Sequence, residues 1–136
     1  MNRVVFKSER HDWTTPDDVY SALDAEFHFD FDPCHNGQLW DGLSVEWGQS
    51  NFVNPPYKNI IKWMEKAWSE LDSGKTSVFL VPSRTDSEWF HKYALNASEI
   101  RFIRGRLKFG GSPHNAPFPS CIVVFNNAAP LFVEEA

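Results

Sequence analysis

Phe52-Val53-Asn54-Pro55-Pro56-Tyr57 decides how the rest of the chain is read. Phe52 and Val53 are a short apolar run of the kind that closes a buried strand, and a helical apolar pattern follows Tyr57. Asn54 to Tyr57 therefore belong at the carboxyl end of a strand, where open α/β sheets place their ligands. The Asn54 side-chain oxygen and the Pro55 carbonyl can accept two N–H bonds from one planar amine. That draws the nitrogen toward tetrahedral geometry and releases a lone pair otherwise delocalised into a ring or carbonyl. The prolines fix φ and bring no N–H to compete for those acceptors. Tyr57 offers a flat face on which a base can stack. Methylation of a weakly nucleophilic NH2 is the chemistry these four residues suit. A Pro-Pro turn between strand and helix, with a packed tyrosine, is the plainer alternative for any four-residue match, so context must decide.

Working outward, Thr15 reads as the N-cap of a helix, Pro16 as its first residue and Asp18 as an acidic first-turn residue; the helix runs to about Phe27. Phe27, Phe29 and Phe31 alternate with His28, Asp30 and Asp32, a strand pattern. Pro33 to Ser50 is irregular and punctuated by Gly37, Gly42 and Gly48. Asn51 to Val53 is the next strand. Asn59 reads as the cap of a second helix with Ile60, Met64, Ala67, Trp68 and Leu71 on one face, stopped by Gly74. Ser77 to Val81 is a buried strand. Thr85 and Glu88 form a capping-box pattern that opens a third helix. Glu99 to Arg104 is a strand, and Leu107 to Phe109 is expected to pair with Cys121 to Phe125 around a Gly/Pro-rich loop. Strands alternating with helices predict a mostly parallel sheet with an antiparallel edge strand.

At 136 residues, 42% of them hydrophobic, with twelve Phe and six Trp, the chain reads as one domain (1–136) with its own core, and 1–10 and 130–136 peripheral. No apolar run approaches the roughly 18 residues of a membrane span, and Met1 to Arg10 lack a signal-peptide apolar region. Two cysteines, Cys34 and Cys121, are too few for a disulfide framework and point to a reducing cytoplasm. A net charge of −5 opposes a strong non-specific grip on DNA, so any DNA contact needs locally concentrated basic residues. Cys34-His35 with His11 or His28 fits no common zinc spacing.

Several segments occur in order: Trp13-Thr14-Thr15-Pro16, Phe29-Asp30-Phe31-Asp32-Pro33, Asp41-Gly42-Leu43-Ser44, Asn54-Pro55-Pro56-Tyr57, Pro82-Ser83-Arg84-Thr85-Asp86, Gly105-Arg106-Leu107-Lys108-Phe109 and Ala116-Pro117-Phe118-Pro119-Ser120. Together they resemble the phage-type DNA N6-adenine methyltransferases, over roughly Asp12 to Phe125. The resemblance implies a trimmed Rossmann-like, S-adenosylmethionine-dependent methyltransferase fold. It also implies methyl transfer from S-adenosylmethionine to adenine N6 in DNA, with the target base flipped out, in a bacterial host's cytoplasm if the gene is a phage's.

The same resemblance places residues. Asn54, Pro55, Pro56 and Tyr57 become the catalytic set. Asp32-Pro33 becomes the opening of the S-adenosylmethionine loop, with one later glycine, Gly37, where two are common. Trp13, Thr15 and Pro16 match the segment that holds the cofactor carboxylate, which a helix N-terminus suits. Only 22 positions separate Asp32 from Asn54, so the middle of the standard fold is trimmed. Asp41 is the candidate ribose carboxylate, with Glu46 behind it; solvated loop carboxylates remain the competing reading. Arg84 follows a buried strand and is expected to meet either a phosphate or Asp86. Arg104, Arg106 and Lys108 alternate, so on an extended chain they share one face and suit phosphates; a charged sheet edge that blocks aggregation is the alternative. Phe109, and after it Phe118, are loop candidates for stacking on the flipped base. With so short a chain, the catalytic domain itself holds the duplex, alone or as a homodimer. Two other readings stay open. One is a protein glutamine N5-methyltransferase, which uses the same Asn-Pro-Pro-Tyr. The other is a non-catalytic module that binds nucleic acid or cofactor.

Overall fold

A computed structural model of the protein describes residues 14–34 and 41–127. Its centre is a four-stranded sheet of β1 (Ser50–Val53), β2 (Thr76–Pro82), β3 (Glu99–Phe102) and β4 (Ser120–Phe125), in the order β1-β2-β4-β3. β1 pairs parallel with β2, with Val53 opposite Phe79. β4 pairs antiparallel with both β2 and β3. β3 therefore runs in the same direction as β1 and β2, but only one of the three strand interfaces is parallel. The expected antiparallel edge strand is instead an interior one. All six residues of β4 are buried, so both of its faces and both of its edges need neighbours. Leu107 to Phe109 forms no strand beside it; Ala116 N–H bonds the Leu107 carbonyl instead, at 2.7 Å.

The sheet is covered on both faces. On one face Val53, Phe79, Val81, Cys121, Val123 and Phe125 pack against helices α2 (Ile60–Glu70) and α3 (Glu88–Lys92). On the other, Phe52, Val78, Leu80, Ile122 and Val124 pack against Leu23 of α1 (Asp17–Phe27) and against Phe109 and Ala116 of the loop before β4. Alternate residues of each strand go to alternate faces, which is the two-residue period of a pleated strand. In α2 the buried residues are Ile60, Trp63, Met64 and Ala67, a stripe at helical spacing. Trp63 faces the core, whereas Trp68 is 43% exposed at the rim.

Local signals shift by a residue or two. Pro16 occupies the N-cap position of α1 and makes no side-chain cap bond, so Thr15 does not cap the helix. α1 runs through Phe27, and only Phe31 of the expected phenylalanine strand pairs, by a single parallel bridge to Asn51. Ser87, rather than Thr85, caps α3: its hydroxyl accepts the Phe90 N–H at 3.3 Å.

Two polar knots hold the loop before β1. Asn51 is fully buried; its amide donates to the carbonyls of Gly48 and Thr76, both at 3.0 Å, and accepts from Gly48 N–H at 2.8 Å. Buried Lys75 donates to Glu70 at 2.8 Å, to Glu46 at 3.2 Å and to the Trp47 carbonyl at 2.7 Å. The hydrogen bond to Glu70 is the main cause that holds its ammonium above the usual lysine range.

Candidate active site

The sheet topology brings the ends of separate segments together. β1 stops at Val53 opposite Phe79, while β2 continues to Pro82. Asn54-Pro55-Pro56 then runs extended (Pro56 φ −60°, ψ 137°) into a 3-10 turn, Tyr57–Asn59. β4 begins with Ser120 opposite Pro82, so Phe118 and Pro119 arrive at the same end, and Ser83 N–H bonds the Pro119 carbonyl at 2.9 Å. Antiparallel β4 thus adds its beginning to the carboxyl ends of the other strands.

Three of the predicted segments meet at Asn54. Its side-chain Nδ2 donates to Thr15 Oγ1 at 3.1 Å. Its backbone carbonyl accepts the Cys34 thiol at 3.2 Å. The Cys34 N–H in turn bonds Asp32 Oδ1 at 3.2 Å. Thr15 therefore fixes the asparagine amide through its nitrogen. The Asp32-Pro33-Cys34 turn is fastened to the backbone of the same asparagine. From sequence Cys34 is weighed only as a zinc ligand and set aside; the signal for its place here is its position directly after Asp32-Pro33.

Gly42 sits against this turn. A Cβ there would lie 1.9 Å from the Pro33 carbonyl oxygen and 2.8 Å from the Trp63 ring, so only glycine allows the loop to lie so close to Pro33. Trp47 Nε1 donates to the Gly42 carbonyl at 2.8 Å and holds that position. Asp41 uses its carboxylate inside its own loop, accepting Leu43 N–H and the Ser44 hydroxyl, both at 2.9 Å. Glu46 pairs with Lys75. Trp13 lies outside the described residues.

Tyr57 is half-buried, and burial pushes its phenol up to about 12 against the opposing pull of Arg84, so it is neutral at physiological pH. Its ring meets Phe118 edge to face at 5.4 Å. The Arg84 guanidinium lies over Phe118 at 5.5 Å, and among the described residues it forms no ion pair with Asp86. Phe118 is thus the loop aromatic beside the motif. Phe109, the first choice from sequence, is 3% exposed and belongs to the core. The Gly110 N–H bonds the Thr14 carbonyl at 2.9 Å and pins this stretch to the segment before α1, and Leu107 and Phe109 both pack in the core cluster on that face of the sheet.

Arg104, Arg106 and Lys108 are all exposed. Gly105 takes a φ of +76° between the first two, which breaks the extended run that their shared face presumed. By contrast, Arg101 is committed to structure: it donates to Glu26 at 2.6 Å and to Glu99 at 2.7 Å, tying α1 to β3. Among the described residues, no helix is long and apolar enough to cross a membrane.

Comparison with curated proteins gives no match. Residues 3–128 match the family described as DNA N-6-adenine-methyltransferase (Dam), which spans the sheet, Asn54-Pro55-Pro56-Tyr57 and the loops around them. The chain belongs to the DNA N-6-adenine-methyltransferase (Dam) family.

Proposed function

We propose that this protein transfers a methyl group from S-adenosylmethionine to the N6 amine of an adenine in DNA, with the base turned out of the stack. The observation that carries the reading is the junction at Asn54, where Thr15, Asp32-Cys34 and the strand end are joined by hydrogen bonds. The Asn54 amide, held through its nitrogen, and the Pro55 carbonyl accept the two N6 hydrogens. The nitrogen lone pair then forms the new N–C bond as the sulfur–methyl bond breaks, and the surplus proton leaves N6 for water. No tuned general base is required, so the catalytic contribution is positioning and stabilisation of the developing ammonium. Turning a base out of a duplex costs roughly a few kcal/mol, which stacking on Tyr57 and Phe118 offsets.

Thr15, Pro16, Asp32 and Pro33 would hold the methyl donor. A carboxylate and a helix start suit the ammonium and carboxylate of its methionine part, and S-adenosylmethionine supplies an activated methyl group when bound. Asp41 already accepts two bonds from its own loop, and its exposed carboxylate keeps lone pairs for a ribose hydroxyl. Arg84 would meet the DNA beside Tyr57, and Arg104, Arg106 and Lys108 would meet phosphates.

Asn54→Ala tests the reading. Methyl transfer to DNA is expected to vanish while calorimetric affinity for S-adenosylmethionine stays close to wild type, because the lost bond acts mainly in the transition state. Wild-type turnover by Asn54→Ala rules the mechanism out.

A further inference from the structure

A cavity of about 310 Å³ opens beside Tyr57, and its lining includes Tyr57, Trp89, Ile60, Pro82, Arg84 and Asp86. Neither Asn54 nor Pro55 is among its lining residues. The target amine must touch both, so the cavity is a neighbouring compartment that shares Tyr57 with the catalytic motif. Its size is at the lower end for small-molecule sites, and a lining that combines two aromatic residues with apolar Ile60 and Pro82 suits a flat ring. Its polar groups are few. The Ser87 hydroxyl is already spent locally, donating to the Arg84 carbonyl at 2.7 Å and accepting from Phe90 N–H at 3.3 Å. Arg84 and Asp86 are both exposed and form no ion pair with each other, so a carboxylate and a guanidinium, the latter resting over Phe118, line the space an occupant would take. A ring whose edge carries N–H donors beside carbonyl or ring-nitrogen acceptors satisfies both; an aliphatic or purely anionic ligand satisfies one at most.

We propose that this cavity receives the base next to the target adenine on the same strand, and that Asp86 reads that base's N–H groups while Arg84 reads its acceptors. Because Tyr57 is common to both compartments, the two occupants stand on neighbouring sites, as consecutive nucleotides do. The inference rests on the DNA adenine methyltransferase reading above. It adds a means of sequence discrimination that needs no separate recognition domain.

The test uses the whole protein and duplex and single-stranded oligonucleotides bearing one adenine with every base at each flanking position, scored by methylation rate. Wild type should show a preference on the order of tenfold at one flanking position. Asp86→Asn, which offers a mixed donor and acceptor where wild type offers only acceptors, should change which base is preferred there. Trp89→Ala should slow transfer in every context, and Trp89→Phe should restore it. A flat wild-type profile, or an unchanged base preference in Asp86→Asn, overturns the proposal while the methyltransferase reading stands. Absence of methylation on every oligonucleotide overturns that reading instead, and this inference with it.

Discussion

Thr15→Val removes one hydroxyl and replaces it with a methyl group of similar size. In the folded protein that hydroxyl accepts the Asn54 Nδ2 at 3.1 Å, and both residues are half-buried. A neutral hydrogen bond of this kind contributes about 0.5–1.5 kcal/mol net. Each 1.36 kcal/mol of barrier is a factor of ten in rate, so loss of the amide's orientation should lower kcat about 2- to 12-fold. The fold should survive, because Thr15 caps no helix. Single-turnover methylation of an adenine-containing oligonucleotide at saturating S-adenosylmethionine reports the chemical step, and calorimetry reports donor affinity separately. Thr15→Ser should recover most of the rate. A Thr15→Val protein with wild-type kcat would refute the argument that Thr15 sets the asparagine's orientation, even if its donor affinity fell.

Three further outcomes are expected. Gly42→Ala drives a Cβ to within 1.9 Å of the Pro33 carbonyl; it should lower stability by about 1–3 kcal/mol and weaken S-adenosylmethionine binding, and an unchanged melting curve and affinity would contradict the close approach. Replacing Arg106 and Lys108 together with Ala should flatten the salt dependence of DNA binding by up to about two units with donor affinity unmoved; an unaltered slope would place DNA elsewhere. Tyr57 keeps its proton up to about pH 12 in the folded chain, whereas an unfolded tyrosine ionises near 10. Its stabilising contribution is therefore complete below about pH 10 and fades as the pH climbs toward 12, so Tyr57→Phe should show a shallower alkaline fall in Tm than wild type, and equal slopes would count against the burial of that phenol.

What could be read from sequence and what could not divide along physical lines. Asn54 to Tyr57 were legible because an apolar strand precedes them and an amphipathic helix follows, and those periodicities are local. Strand order was not. Val78–Val81 and Cys121–Phe125 are both uniformly apolar, and without alternation nothing in either segment says which edges it offers to which neighbour. The choice of Phe109 over Phe118 failed for a related reason. Both stand in a Gly- and Pro-rich stretch, and a long-range bridge between Thr14 and Gly110 decides which ring turns inward. Thr15 read as a helix cap because threonine before Pro-Asp usually is one; a residue 39 positions away claims its hydroxyl instead.

The interior position of β4 makes the protein indivisible in time as well as in space. Among the described residues β3 has no partner in the sheet other than β4, and β2 has β1 on one side and β4 on the other. A growing chain that has reached Pro119 already carries Asp32, Asn54 to Tyr57, Arg84 and the basic residues from Arg104 to Lys108. At that moment its described strands amount to one parallel pair and an orphan. The six residues that follow contribute no side chain to the proposed chemistry, yet they bring the orphan home and carry Phe118 and Pro119 against Ser83 and Arg84. Assembly during synthesis is thereby deferred to the last described strand, and the reactive end of the sheet closes in one step rather than piece by piece.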